Sequence, residues 1–141
     1  MGGRDAYLDH LASVPLFAAC SRKDLRNIAR ASDEVSVPAG KVLVEQGKIG
    51  RECFVIVDGA AIVKRNGRKV ATLGPGDYFG ELSLLDKGVR TATVTANTPM
   101  TVLVLGPREF SGVLDAVPGL AHKLLATLAS RIRELDTRAY G

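Results

Sequence analysis

The sequence is poor in the residues that build catalytic and metal centres. It contains two histidines, His10 and His122, and two cysteines, Cys20 and Cys53, among 141 residues. The cysteines lack the spacing of a metal site, and neither histidine has a catalytic or metal-binding partner near it in the sequence. No activated nucleophile and no acid–base pair stands out either. We therefore expect a protein that is not an enzyme and that holds no metal or other cofactor.

Long apolar runs are also absent. No window approaches the roughly 20 apolar residues of a membrane-spanning helix. The N-terminal residues Met1–Asp5 lack the apolar core of a signal peptide and include an early acid. Cys53 begins the apolar run 53–57, where a small buried residue is the simplest interpretation. We expect a cytoplasmic domain without disulfides and without a membrane partner.

The charge is only mildly basic, +4 at pH 7. The lysines and arginines look scattered along the sequence, whereas a surface that binds nucleic acid usually shows a basic stripe. We therefore expect no DNA binding by this chain. Hydrophobic residues make up 46% and charged residues 24% of the 141 positions, a composition and length typical of one globular domain with a single core.

Residues 34–105 consist of short apolar runs with a period of two. Turns with Gly or Pro separate the runs, and Asn66-Gly67 between two of them is typical of a type I′ hairpin. Residues 1–33 and 106–138 instead favour helices. This order predicts an α+β fold, a β-roll or jelly-roll barrel of about eight short antiparallel strands flanked by N-terminal helices and two C-terminal helices. We expect residues 1–141 to form this one domain.

The helical segments carry signals at their ends and along their faces. Ser21 is a predicted N-cap with Asp24 at the third helical position, and Pro107 stands in a first turn, which tolerates proline. The last helix carries a stripe of apolar residues: Leu120, Leu124, Leu128, Ile132 and Leu135. Its nearly heptad spacing leaves two interpretations open. The stripe either covers the open side of the barrel or pairs with a twin helix in a homodimer.

Residues 76–94 combine three glycines, a carboxylate inside an apolar run (Glu81) and an Arg-Thr pair in a way that packing alone does not explain. We expect a short helical turn to begin near Glu81 and to present free backbone N–H groups to an anion. Gly80 lets a ligand approach the backbone, and the guanidinium of Arg90 fits two oxygens of one phosphate. Glu81 would repel a phosphate but would accept hydrogen bonds from sugar hydroxyls. The stretch predicts a nucleotide pocket.

Each of these residues also has a purely structural interpretation. Glu81 could complement the dipole of its helix, Arg90 could pair with Asp86 at the surface, and Thr91 could be an ordinary strand residue. However, Arg90 directly precedes a strand predicted for residues 91–96, which would aim its charge into the barrel. A buried charge is costly unless an anion pairs with it, so we favour phosphate binding.

The same stretch resembles the phosphate-binding cassette of the cyclic nucleotide-binding domain family. The resemblance rests on Phe79-Gly80-Glu81-Leu82-Ser83-Leu84-Leu85 followed by Arg90-Thr91-Ala92-Thr93-Val94. It extends to the order of helices and strands over nearly the whole chain, and it implies a cassette at residues 79–92. Val89, where many relatives have proline, and Lys48, where an acid is common, depart from the family pattern without removing a ligand contact.

The resemblance implies a binding role for eight residues: Phe79, Gly80, Glu81, Leu82, Ser83, Arg90, Thr91 and Ala92. Arg90 would bind the cyclic phosphate, Glu81 the ribose 2′-hydroxyl, and Thr91 the phosphate or the purine edge. Backbone N–H donors would come from Gly80, Leu82, Ser83 and Ala92. Phe79 would pack in the core rather than stack on the base, and contacts to the base would come from residues 128–133.

The resemblance further implies a sensor of cyclic nucleotides whose C-terminal helix rearranges on binding. We favour cAMP over cGMP as the ligand. No helix-turn-helix follows the last helix in this sequence, so the signal would pass to an effector protein, or the chain would be one piece of a larger regulator. Two other classes stay open. One is a ligand-free interaction domain of the same fold, disfavoured by the presence of both Glu81 and Arg90. The other is a metal-dependent enzyme on a related barrel, disfavoured by the missing histidine set.

Overall fold

The computed structural model describes residues 7–14, 17–80 and 88–140. Helices lie at both ends of this described part, and strands occupy its middle. The elements are α1 (Leu8–Ala12), α2 (Arg22–Ala31), β1 (Asp33–Val37), β2 (Val42–Val44), β3 (Cys53–Asp58), β4 (Ala61–Arg65), β5 (Arg68–Leu73), β6 (Tyr78–Phe79), β7 (Thr93–Ala96), β8 (Met100–Leu105), α3 (Pro107–Ala116) and α4 (Leu120–Tyr140).

The strands form two four-stranded antiparallel sheets. One has the order β1-β8-β3-β6 and the other β2-β7-β4-β5. All of their ladders are antiparallel, and β8 pairs through residues 100–104 with β1 on one side and through residues 101–105 with β3 on the other. The predicted fold class is therefore confirmed, with one difference. Among the described residues each sheet keeps its own edge strands, so the sheets make an open roll and not a closed barrel.

Strand β3 packs on one face against the helices and on the other face against the second sheet. Its side chains alternate between two apolar clusters, as expected for a period of two. Phe54 and Ile56 lie in the cluster between the sheets, whereas Cys53 and Val55 lie in the cluster under the helices. Both faces of the strand are thus buried, which is why residues 53–57 form a continuous apolar run in the sequence.

Local signals in the sequence are confirmed where they specify backbone geometry. Ser21 caps α2 in a full capping box, because its side chain accepts from the Asp24 N–H and the Asp24 carboxylate accepts from the Ser21 N–H. Asn66 and Gly67 have φ of 54° and 79°, as a type I′ turn requires. Pro107 is the first residue of α3, after the N-cap Gly106.

The apolar stripe of α4 is buried only in its first half. Leu120 and Leu124 are almost fully buried in the cluster under the helices, and Leu128 packs against that cluster. Further along, the side chain of Ile132 is 65% exposed, and so is that of Leu125 beside the stripe. The structure does not describe the side chain of Leu135. The stripe therefore anchors α4 by its N-terminal end.

An ion pair adds a second anchor at that end of α4. The Lys123 Nζ lies 3.0 Å from Oδ2 of Asp24, although the two residues are 99 positions apart. The Asp24 side chain is only 9% exposed and also accepts from the Ser21 N–H at 2.9 Å. Burial by itself raises the pKa of the Asp24 carboxyl, but these hydrogen bonds outweigh it and hold the pKa below its usual value.

Replacing Asp24 with asparagine should lower the free energy of unfolding by about 2 kcal/mol at pH 7, because hydrogen bonds to a charged, buried group are lost. The folded-state pKa of Asp24 is depressed below the unfolded value of about 3.9. Its stabilising contribution is therefore complete above that value and disappears as the pH falls through the folded-state pKa. Urea unfolding of the wild type and of Asp24→Asn, at pH 7 and at low pH, measures the difference in the free energy of unfolding.

The matched control is Asp9→Asn, since Asp9 also pairs with an arginine, Arg22, at 2.9 Å but is 90% exposed. Exposed ion pairs contribute little, so the control should cost less than about 1 kcal/mol. An Asp24→Asn variant as stable as the wild type at pH 7, or a deficit that does not shrink with acid, would show that the pair is no anchor.

Candidate functional site

Arg90 is held by a short ladder between two loops. Its backbone N–H donates to the Lys48 carbonyl at 2.8 Å, and its carbonyl accepts from the Gly47 N–H at 2.9 Å. Next to the Lys48 bond, Ile49 and Val89 form an isolated antiparallel bridge, and the Gly50 N–H donates to the Gly88 carbonyl at 3.4 Å beyond it. The backbone at Arg90 is thus fixed by pairing rather than left in a free loop, which reduces the conformational freedom lost when a ligand binds.

The guanidinium of Arg90 lies half-buried over an aromatic pair. Its Nη2 donates to the Glu52 carbonyl at 3.0 Å, and its Cζ lies 5.9 Å from the centroid of the Phe54 ring, within cation–π distance. Phe54 stacks in turn on Phe79, with centroids 4.8 Å apart. Burial lowers the pKa of Arg90, while the nearby Glu52 and Cys53 act in the opposite direction. The guanidinium nevertheless stays charged at neutral pH, because arginine keeps its proton in proteins.

Two glycines leave the room that this guanidinium occupies. A Cβ on Gly80 would lie 2.5 Å from Nη1 of Arg90 and 2.6 Å from the Glu52 carbonyl oxygen, and the φ of Gly80 is +80°. A Cβ on Gly50 would overlap the Arg90 guanidinium itself. Gly80 was expected from the sequence to allow close approach to its backbone, and the group that approaches closely here is the side chain of Arg90. Arg90 can keep this position only if neither residue carries a side chain.

The structure brings some of the predicted residues together and leaves others undescribed. Phe79 ends β6, and Gly80 follows it directly against Arg90. Glu81, Leu82 and Ser83 lie outside the described residues, so the sugar-binding carboxylate and the start of the short helix stay predictions.

The strand expected at residues 91–96 begins two residues late. Pairing of β7 starts at Thr93, opposite Lys64. Thr91 and Ala92 instead form a bend, with Thr91 exposed and Ala92 half-buried. The reason is a competing bond, since the Thr91 carbonyl accepts from Nε of Arg65 at 3.3 Å. The prediction that Arg90 directly precedes a strand is therefore wrong by two positions.

Sequence reasoning missed three contributors to the site. Phe54 was interpreted only as part of an apolar run, and Gly50 only as part of a turn. Glu52 contributes through its backbone carbonyl, which no side-chain motif can reveal. The role of Phe54 follows from the pairing of β3 with β6, which places it directly opposite Phe79 and which no local sequence signal gives. Two large aromatic residues in one cross-strand pair indicate a stacked platform.

Away from Arg90, a second cavity does not suit a phosphate. A shallow cavity of about 450 Å³ is lined by residues that include Ser36, Pro38, Asp58, Pro99 and Thr101. It contains a carboxylate and no arginine or lysine, so it would repel a phosphate. Among the described residues no His, Cys, Asp and Glu side chains cluster as a metal site would require. In the same part of the chain, no helix is long and apolar enough to cross a bilayer.

Comparisons with known proteins identify the family of this chain. The family model described as "Cyclic nucleotide-binding domain" matches residues 34–116. The chain is 38% identical over 112 residues to a cAMP-dependent protein kinase regulatory subunit of Schizosaccharomyces pombe, covering 79% of this chain and 27% of that protein. It is 36% identical over 104 residues to the Cyclic AMP receptor protein of Thermus thermophilus, covering 70% of this chain and 48% of that protein. It thus spans about a quarter to a half of these curated relatives.

A solved structure extends the likeness to almost the whole fold. The N-terminal domain of a transcriptional regulator from Streptomyces coelicolor superposes with a TM-score of 0.85 at 34% identity, covering 92% of this chain and 96% of that one. The matching family consists of regulatory domains that bind a nucleotide and carry out no catalysis. On this combined sequence and structural likeness, the chain belongs to the cyclic nucleotide-binding domain family.

Proposed function

We propose that the chain is a cytoplasmic sensor module that binds a 3′,5′-cyclic mononucleotide, cAMP in preference to cGMP. The observation that carries the proposal is the half-buried Arg90 guanidinium, fixed by the Glu52 carbonyl and the Phe54 ring and lying against Gly80. The names of two relatives support cAMP, since one is a cAMP-dependent kinase subunit and the other a cyclic AMP receptor.

In this proposal the cyclic phosphate binds to Arg90. The fork of donors on a guanidinium matches two phosphate oxygens, and a partly desolvated site strengthens that charge-assisted pair. Gly80, Leu82, Ser83 and Ala92 would add backbone N–H donors, and Thr91 its hydroxyl. Glu81 would accept from the ribose 2′-hydroxyl. No bond of the ligand is broken, so occupancy is the only signal.

Helix α4 is the element that would carry the signal onward. Its first turns are anchored by Leu120, Leu124 and the Lys123–Asp24 pair. Beyond that anchor, Leu125 and Ile132 expose apolar side chains. A helix that is fixed at one end and incompletely packed at the other is an element whose position a ligand can bias. Its exposed face would then meet the bound base, a twin helix in a homodimer or an effector protein.

A thermal-unfolding series on refolded, ligand-stripped protein tests the proposal, with cAMP, cGMP, linear AMP and cyclic di-GMP as ligands. A ligand at about 100 times its Kd stabilises by about 2.7 kcal/mol, or several degrees in Tm for a domain of this size. We expect the largest shift with cAMP, a smaller one with cGMP and none with linear AMP. No shift with either cyclic mononucleotide would leave the ligand-free interaction domain as the better account.

Gly50→Ala offers a selective test of the role of Arg90. The new Cβ would collide with the flexible end of the Arg90 side chain, and the φ of Gly50 is not in the left-handed region, so the backbone stays unstrained. We expect cAMP affinity to fall by about tenfold or more, since displacement of a bidentate charged partner costs more than about 1.4 kcal/mol, while Tm changes little. Titration calorimetry measures the affinity for cAMP, and thermal unfolding measures Tm. Unchanged affinity would mean that the observed position of Arg90 is not the binding position.

A further inference from the structure

The β4–β5 hairpin carries a compact positive charge, here called the basic tip: Lys64, Arg65, Arg68 and Lys69. All four side chains are exposed. In the strand register Arg65 lies opposite Arg68, and Lys64 opposite Lys69. Like charges directly opposite one another destabilise a strand pair. The basic tip therefore contains two like-charge pairs in successive register positions. Their repulsion destabilises the hairpin, so we expect an interaction that offsets it.

Contacts within the protein do not supply that interaction. Among the described residues, no carboxylate lies within ion-pair distance of any of the four cations. Protection of an exposed sheet edge would explain Arg68 and Lys69, because β5 is an edge strand and lysines there deter aggregation. It does not explain Lys64 and Arg65, which belong to the inner strand β4.

The basic tip is displayed on a rigid support. Its turn has type I′ geometry at Asn66 and Gly67. The Gln46 side chain holds Asn66 by two hydrogen bonds of 2.8 Å, one donated to Oδ1 and one accepted from the backbone N–H. Arg65 is held against the Thr91 carbonyl through its Nε. A preformed arrangement of charges loses little conformational entropy on binding, which favours recognition of a partner.

We propose that the basic tip is a docking surface for an acidic segment of a partner protein. The small size of the positive surface favours a short acidic segment over a nucleic acid. Its four charges occupy two register positions about 3.3 Å apart along each strand, with Lys64 and Lys69 on one face of the hairpin and Arg65 and Arg68 on the other. In the adjoining loop the exposed charges are of both signs: Glu45 and Glu52 are acidic, and Lys48 and Arg51 are basic. The positive surface thus stops at the tip and does not continue as the stripe that nucleic acids require. A short run of Asp or Glu matches it.

The test uses the full chain and a fluorescent peptide of six consecutive glutamates, with a six-glutamine peptide as the uncharged control. Fluorescence anisotropy at low salt measures the Kd for the wild type and for a variant with all four tip cations replaced: Lys64→Gln, Arg65→Gln, Arg68→Gln and Lys69→Gln. We expect the variant to bind the glutamate peptide at least about tenfold more weakly, because several exposed ion pairs are lost together. Wild-type binding should also weaken with added salt.

The matched control removes the same charge from exposed cations elsewhere: Lys23, Arg30, Lys41 and Arg108, each changed to glutamine. It should bind the peptide like the wild type, and circular dichroism verifies that all three proteins are folded. Equal loss in both variants, or no binding of the glutamate peptide by the wild type, would overturn the proposal. A short DNA duplex that binds more tightly than the peptide through the same four cations would also overturn it. The peptide assay contains no nucleotide, so failure of the docking proposal and failure of the nucleotide-binding proposal can be told apart.

Discussion

Replacing Arg90 with alanine should weaken the binding of cAMP by about thirtyfold or more, while the protein stays folded. The reason is the loss of one partner of a charged, partly desolvated hydrogen-bonded pair, which costs about 2–5 kcal/mol when a single side is truncated, and each 1.4 kcal/mol is a factor of ten in Kd. Titration calorimetry on ligand-stripped protein gives the ratio of the two Kd values.

Two further variants separate the chemistry of Arg90 from its charge. Arg90→Lys keeps the charge but loses the planar fork, so it should recover only part of the affinity. Arg51→Ala removes an exposed arginine from the neighbouring loop, and it should bind cAMP nearly as the wild type does. A Kd for Arg90→Ala within threefold of the wild-type Kd would show that Arg90 does not bind cAMP.

Gly80→Ala should be among the most destabilising single methyl additions in this chain. An alanine at a φ of +80° is strained by about 1–2 kcal/mol. Its Cβ would also press against the backbone oxygen of Glu52, 2.6 Å away, which cannot swing aside as a side chain can, and overpacking adds about 1–3 kcal/mol. We expect Tm to fall by roughly 10 °C and cAMP affinity to fall with it, because Arg90 is displaced as well.

Gly40→Ala is the matched control for backbone strain alone. Gly40 has a φ of +87°, but an added Cβ would have no atom within 4 Å. The difference in unfolding free energy between the two variants therefore isolates the contact of residue 80 with Glu52 and Arg90. Equal losses at both positions would mean that the close packing at Gly80 contributes nothing beyond its φ.

Most of the fold was predictable because its signals are local. The type I′ turn at Asn66 and Gly67, the capping box of Ser21 and Asp24, and the period-two runs each depend on a few adjacent residues. Such short-range signals depend little on the rest of the fold. They set the order of helices and strands and thereby the fold class.

The parts that were missed depend on residues far apart in the sequence. The stacking of Phe54 on Phe79 follows from the register of β3 with β6, which the sequence does not state. The late start of β7 follows from the bond of Arg65 to the Thr91 carbonyl, 26 positions apart. The burial of only the first half of α4 likewise depends on α2, through the Lys123–Asp24 pair. The motif located the site, and tertiary pairing decides its geometry.

The measurement that tests the central claim most directly is an NMR titration of uniformly ¹⁵N-labelled, ligand-stripped protein with cAMP. If cAMP binds to Arg90 and the neighbouring backbone, the largest shifts should fall on the amides of Gly80, Arg90 and Ala92 and saturate at one ligand per chain. Shifts centred on Ser36 and Thr101 at the shallow cavity instead, or no shifts at saturating cAMP, would contradict the account.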